Sequence, residues 1–91
     1  MEGEVLKKYG YVVASSYRLR VMKALSSDVK TPTKVAEDSG LDQKYISKVL
    51  RQLKDNDLAE CINEEFKKGR LYRLTDVGEK VTECIDRYGS G

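Results

Sequence analysis

One stretch of the sequence combines hydrogen-bonding and cationic side chains and contains no acidic residue. No Asp or Glu occurs from position 43 to position 54. In a helix over this stretch, the side opposite the apolar stripe exposes Gln43, Lys44, Tyr45, Ser47, Lys48 and Arg51. Gln, Lys and Arg can hydrogen bond to base edges in the major groove of DNA, and a surface that faces phosphates cannot carry much negative charge. The stretch is therefore a candidate surface for double-stranded DNA.

A second basic cluster follows in a polar segment, residues 63–70, called the wing loop below. It contains Lys67, Lys68 and Arg70, with Gly69 between the last two. A basic loop tip can reach an adjacent minor groove, where narrowness concentrates negative potential. We therefore assign base contacts to Gln43, Lys44, Tyr45 and Ser47, and phosphate contacts to Lys48, Arg51, Lys67, Lys68 and Arg70. Thr31 and Thr33, at a helix N-terminus, are further candidate donors to phosphate.

Each of these features also has an ordinary structural explanation. A basic helix face is commonly a solvated surface, and a Lys-Lys-Gly-Arg segment is commonly a soluble turn. Tyr45 fits packing against the protein as well as stacking on bases. The order helix, helix, basic hairpin within one short stretch favours DNA binding over these explanations.

Two short helices joined by a glycine turn must position the first basic surface. Thr31 caps the first of them with Pro32 at its first position, and Ser39-Gly40 ends it. Asp42 caps the second, which ends near residues 56–57. Its apolar stripe consists of Ile46, Val49, Leu50 and Leu53. This pattern predicts a helix-turn-helix.

A further helix is predicted to precede these two. Ser15 or Ser16 caps it, its apolar stripe is Tyr17, Val21, Met22 and Leu25, and it stops near residues 26–28. Residues 2–13 fit two structures. Val5, Leu6, Tyr9, Val12 and Val13 have helical spacing, but Gly10 interrupts it and residues 11–13 also fit a short strand.

The hydrophobic period changes after the helix-turn-helix. Residues 58–62 and 71–75 are predicted strands of a hairpin. Thr75 caps a last helix with a stripe of Val77, Val81, Cys84, Ile85 and Tyr88. The predicted fold class is mostly α with a small β-hairpin (α+β): a winged helix-turn-helix with a three-helix core, a wing and a C-terminal helix.

Composition limits the other function classes. The chain has 91 residues, which suits one domain, and its net charge of +2 does not by itself indicate a nucleic-acid partner. It has no His and only two cysteines, Cys61 and Cys84, so neither a zinc site nor His-based acid–base catalysis is expected. The cysteines fit small buried residues in a reducing cytoplasm. We predict no enzyme, no cofactor, no membrane segment, no evident small-molecule ligand and a cytoplasmic location.

Several strings of the sequence together resemble a known family. They are SxxRLRVMKAL from Ser15, TPTKVA from Thr31, YISKVLRQLK from Tyr45 and KKGRLYRLTDVG from Lys67. From residue 15 to about residue 82, the chain is similar to the archaeal-type winged-helix transcription regulators related to the ArsR and MarR groups. The resemblance implies a recognition helix at 42–55, a wing at 63–70 and a dimer on half-sites about one DNA turn apart. Metal sensing is not implied, because residues 41–57 contain no Cys or His.

The two ends of the chain carry more apolar residues than one small core requires. They are Leu6, Tyr9, Val12 and Val13 near the start, and Val77, Val81, Ile85 and Tyr88 near the end. We expect a homodimer interface there. The predicted divisions are a possible dimer contact at 1–14, the winged-helix domain at 15–88 and a disordered tail at 89–91.

The alternative function is that of a winged helix that contacts other proteins. The low net charge and the acidic pair Glu64-Glu65 favour this alternative.

Overall fold

The computed structural model describes residues 3–26 and 28–88, and within them the chain forms five helices and one hairpin. The elements are α1 (Gly3–Val13), α2 (Ser16–Leu25), α3 (Pro32–Ser39), α4 (Gln43–Asp55), β1 (Ala59–Cys61), β2 (Tyr72–Leu74) and α5 (Asp76–Tyr88). The predicted fold class, mostly α with a small hairpin, is confirmed. The predicted disordered tail at 89–91 lies outside the described residues.

The open choice for residues 2–13 is decided in favour of a helix. Val5 and Val12, two turns apart on α1, are both buried, and α1 packs on α2 and α5. Gly10 lies on the exposed side with no atom near its missing Cβ position. The strand alternative for residues 11–13 is wrong because burial along one helix face outweighs the weak helix propensity of this segment.

The predicted N-caps are confirmed by hydrogen bonds to the first turns of the helices. The pairs of acceptor and backbone donor are Ser15 with Arg18 (3.3 Å), Thr31 with Lys34 (3.2 Å), Asp42 with Lys44 (3.0 Å) and Thr75 with Gly78 (3.0 Å). Gly40 ends α3 in the left-handed region (φ 73°), which glycine adopts without strain. These groups satisfy backbone donors and acceptors that helix ends leave free.

The antiparallel hairpin is shorter than predicted and has an additional neighbour. Its register pairs Ala59 with Leu74, Glu60 with Arg73 and Cys61 with Tyr72, so residues 58, 62, 71 and 75 lie outside the strands. Lys30, between α2 and α3, exchanges two backbone hydrogen bonds with Tyr72, of 2.9 and 2.8 Å. This bridge connects the hairpin to the segment directly before α3.

The core contains residues from all five helices and from the hairpin. The burial of individual residues corrects several predictions. Val12, Val81 and Ile85, predicted for a dimer interface, are buried within the chain. Tyr17, predicted for the apolar stripe of α2, is 38% exposed. Cys61 and Cys84 are half-buried rather than buried, and neither forms a disulfide.

No helix among the described residues has the length and apolar character to cross a membrane.

A close backbone approach fixes the start of α5. The backbone N–H of Thr75 donates to the carbonyl of Leu58 (3.1 Å), directly before β1. A Cβ atom at Gly78 would lie 2.1 Å from the same carbonyl oxygen. Position 78 therefore requires glycine because no side chain fits between α5 and Leu58.

Candidate nucleic-acid interface

Helix α4 separates cleanly into a buried face and an exposed face. Ile46, Val49, Leu50 and Leu53 are buried under the other helices. The six sequence-predicted residues are all exposed and form what we call the reading face: Gln43, Lys44, Tyr45, Ser47, Lys48 and Arg51. The structure thus brings all six predicted residues of this helix together on one solvent-facing surface.

Arg20 of α2 holds the turn that places α4. Its guanidinium donates to the carbonyl oxygens of Ser39 (3.0 Å) and Gly40 (3.5 Å), at the end of α3. These acceptors belong to a helix terminus that would otherwise depend on water. The contact orients α4 relative to α3. In the sequence, Arg20 is recognisable only as a residue outside the apolar stripe of α2. The local pattern therefore did not indicate its hydrogen bonds to the end of α3.

The N-terminus of α3 lies beside the N-terminus of α4. The Gln43 amide donates to the Thr33 hydroxyl (3.2 Å), while the Thr31 hydroxyl caps α3 by accepting from the Lys34 backbone. Both hydroxyl groups accept in these contacts and keep a proton to donate. Thr31 and Thr33 therefore extend the surface that contains the reading face.

Tyr45 packs on an aromatic residue that the sequence did not single out for this surface. Its ring lies 5.0 Å from that of Tyr17, tilted by 58°, and the Lys44 ammonium is 5.2 Å from the Tyr45 ring centre. Tyr45 nevertheless stays 37% exposed, so packing and accessibility coexist. A cleft of about 210 Å³ beside the two rings also reaches Lys48.

Asn63 organises the wing loop. Its side-chain oxygen Oδ1 accepts from the Leu71 backbone N–H (2.8 Å), and its side-chain amide donates to the Gly69 backbone carbonyl (3.1 Å). Gly69 itself has a φ of 69°, which favours glycine. Lys67 and Lys68 are exposed in this loop, as predicted from the sequence. One asparagine thus joins both ends of the loop.

Arg70 has a contact that the sequence analysis did not foresee. Its guanidinium donates to the carbonyl oxygens of Phe66 (2.7 Å) and Glu64 (3.3 Å), and the residue is half-buried. The side chain therefore braces the loop from within. Because a guanidinium has five N–H donors, some stay available, and the phosphate contact assigned to Arg70 stays a prediction.

An ion pair joins α4 to the wing loop. Lys54 on α4 contacts Glu64, and this hydrogen bond raises the pKa of Lys54 and lowers the pKa of Glu64. The groove between the two elements has a volume of about 280 Å³, and Ser47, Arg51 and Arg70 are among its lining residues. The reading face and the wing loop therefore border one shared groove.

The two predicted surfaces contain cations that form no ion pair among the described residues, whereas some cations elsewhere in the fold do. Four cations of these surfaces form no ion pair with an acidic group in the described part of the chain: Lys48, Arg51, Lys67 and Lys68. Other cations do form such pairs. Lys30 and Lys34 contact Asp38 (2.7 and 3.2 Å), and Arg73 contacts Glu60 (2.8 Å). Hydrogen bonds from Lys30 and Lys34 lower the pKa of Asp38. Since Lys48, Arg51, Lys67 and Lys68 are exposed and form no such pair, their positive charge is available to a partner.

No family model and no curated protein sequence matches the chain. Solved structures share its fold. TubR from Bacillus thuringiensis, solved bound to 24 bp of tubC, superposes with a TM-score of 0.80 at 14% identity, covering 93% of this chain and 95% of TubR. A MarR family transcriptional regulator from Silicibacter pomeroyi gives 0.72 at 24% identity, covering 92% and 58%. NadR in complex with 4-hydroxyphenylacetate gives 0.66 at 16% identity, covering 92% and 67%. The chain therefore shares its fold, a winged helix, with these proteins, and it spans little more than half of the Silicibacter protein.

Proposed function

We propose that this chain is a transcription regulator that binds double-stranded DNA sequence-specifically. Helix α4 enters the major groove, and the wing loop contacts the adjacent minor groove or the backbone. The observation that carries the proposal is the set of unpaired cations, Lys48 and Arg51 on α4 with Lys67 and Lys68 in the wing loop, on two surfaces that border one groove. The DNA-bound state of TubR, which shares the fold, supports it.

The side chains divide into two groups by chemistry. Gln43, Lys44, Tyr45 and Ser47 stand at the N-terminal half of α4 and are assigned to base edges. Lys48, Arg51, Lys67, Lys68 and Arg70 neutralise phosphates, and Thr31 and Thr33 donate to the backbone at the N-terminus of α3. Backbone contacts fix the register of the protein on the duplex, and base contacts select the sequence.

The test begins with selection of bound duplexes from random DNA, followed by titration of a selected duplex at several salt concentrations. We expect log Kobs to fall linearly with log salt because phosphate contacts release counterions. Lys48→Ala and Arg51→Ala should each reduce the magnitude of that slope by about 1. Lys23→Ala, which removes an exposed cation in the last turn of α2, is the matched control and should leave the slope unchanged.

Absence of binding at low salt would refute DNA binding and favour the alternative, a winged helix that contacts proteins. In that case Lys48→Glu and Arg51→Glu should leave the biological activity intact. Equal affinity for all duplexes would refute only the sequence specificity.

We also propose a cytoplasmic homodimer without enzymatic activity. Leu6 on α1 and Tyr88 on α5 are 54% and 63% exposed on two helices that pack on each other, which supports an interface there. The archaeal-type and ArsR-related parts of the resemblance stay predictions, whereas likeness to MarR family folds agrees with the comparisons. No small-molecule ligand is proposed, although NadR binds one.

A further inference from the structure

Phe66 lies near the middle of the wing loop with a fixed backbone and an exposed side chain. Its N–H donates to the Asn63 carbonyl (3.0 Å), and its own carbonyl accepts from Arg70 (2.7 Å). The residue is nevertheless 54% exposed. The loop thus holds the backbone of this residue from both sides and leaves much of the ring in solvent.

Exposure alone assigns no function to Phe66, since single apolar residues are common on protein surfaces. Its surroundings are more informative. Lys67 and Lys68 follow directly and have no acidic partner among the described residues. The carboxylate of Glu64 is occupied by Lys54, so the exposed Glu65 directly before the ring leaves the two lysines in excess. An apolar ring beside two available cations is chemically suited to a surface that combines phosphates with an apolar interior.

The minor groove of DNA is such a surface. Proteins that bind it insert apolar side chains between base steps, and the insertion bends the duplex by about 20–90°. Pyrimidine–purine steps unstack at the lowest energetic cost. We propose that Phe66 is an apolar wedge of the wing loop, which enters the minor groove between phosphates held by Lys67 and Lys68. This inference rests on the proposed DNA-binding function.

The proposal specifies a feature of the DNA as well as of the protein. Duplexes selected by the protein should carry a flexible step such as TA or CA where the wing loop meets the minor groove, beside the bases contacted by α4. Replacement of that step by a stiff A-tract should weaken binding by the wild-type protein and have little effect on Phe66→Ala.

The experiment measures DNA bending from the energy transfer between dyes at the two ends of a selected duplex. Phe66→Ala should reduce the bend and weaken binding about tenfold, the equivalent of leaving one aromatic side chain unburied, with an unchanged salt slope. Phe66→Leu should retain part of the bend. Lys67→Ala should keep the bend and reduce the slope by about 1. Ile62→Ala, which shortens another exposed apolar side chain (44%) between β1 and the wing loop, is the control and should leave the bend unchanged.

Each contrary result has a distinct meaning. If Phe66→Ala binds with the wild-type bend and affinity, the wedge is wrong and DNA binding stands. A change in the sedimentation of Phe66→Ala without DNA would make Phe66 a protein contact and would also overturn the wedge. If the wild-type protein does not bind DNA at low salt, the proposed function itself fails.

Discussion

Gly78 illustrates at the residue scale how one missing side chain sets the packing of a whole helix. Its Cβ position lies 2.1 Å from the carbonyl oxygen of Leu58, which is backbone and cannot move like the end of a flexible side chain. We expect Gly78→Ala to lower the free energy of unfolding by about 1–3 kcal/mol or more, since α5 must shift. Urea denaturation measures the change.

Gly10→Ala is the matched control. Gly10 also lies inside a helix, but apart from its chain neighbours and the backbone of its own helix nothing lies within 4 Å of its missing Cβ position. Because alanine favours a helix over glycine by about 0.8–1.0 kcal/mol, this variant should be more stable than the wild type. Wild-type stability of Gly78→Ala would contradict the close approach of α5 to Leu58.

For some side chains, the local sequence pattern did not predict the contacts that the structure shows. Tyr17 has the spacing of the α2 stripe, yet it lies in the first turn of the helix, where Tyr45 from another element meets it at the surface. The sequence shows that Arg70 is charged. It does not show that the guanidinium donates to the carbonyl groups of Phe66 and Glu64. The sequence therefore located the reading face, whose exposure follows from helix periodicity, and missed contacts that depend on tertiary structure.

At the scale of elements, the N-cap of α4 supports the helix that carries the reading face. The Asp42 carboxylate accepts from the Lys44 backbone N–H at 3.0 Å. Asp42→Ala should lower the free energy of unfolding by about 0.5–2 kcal/mol because a backbone donor loses its partner. Chemical denaturation of the two proteins under identical conditions measures the difference.

Asp42→Asn separates capping from charge. Asparagine caps a helix about as well as aspartate, so this variant should keep most of the stability. An equal loss in both variants would contradict the capping explanation and assign the stability to the interaction of the carboxylate with the helix dipole.

Elements were predictable where a local signal defines them. Cap residues and glycine located the boundaries of α2, α3, α4 and α5, because the first and last turns of a helix need partners close in sequence. Helix α1 stayed undecided because its stability comes from the burial of Val5 and Val12 against other helices. The bridge from Lys30 to Tyr72 was not foreseen, since its partners are distant in sequence.

At the scale of the whole molecule, the exposed apolar residues of α1 and α5 predict self-association. Wild-type protein at about tens of micromolar should sediment as a dimer, in the range of ordinary interface strengths. Leu6→Asp and Tyr88→Asp should each shift the protein toward the monomer because a charge would be buried in the interface. Both residues are exposed in the single chain, so the fold should persist.

Val29→Asp is the control for the dimer. Val29 is 42% exposed between α2 and α3, away from the two terminal helices in sequence, and its change should leave the sedimentation unaltered. A monomeric wild-type protein at this concentration would refute the homodimer.

The bridge between Lys30 and Tyr72 has a consequence for the order of folding. The complete helix-turn-helix and the first strand lie between its two partners, so closing this loop in an unfolded chain would cost considerable entropy. That cost is small once α3, α4 and the hairpin have formed, because the two ends are then already neighbours. The bridge is therefore expected to close late, after the folding nucleus, with little influence on the folding rate and with its main effect on the rate of unfolding.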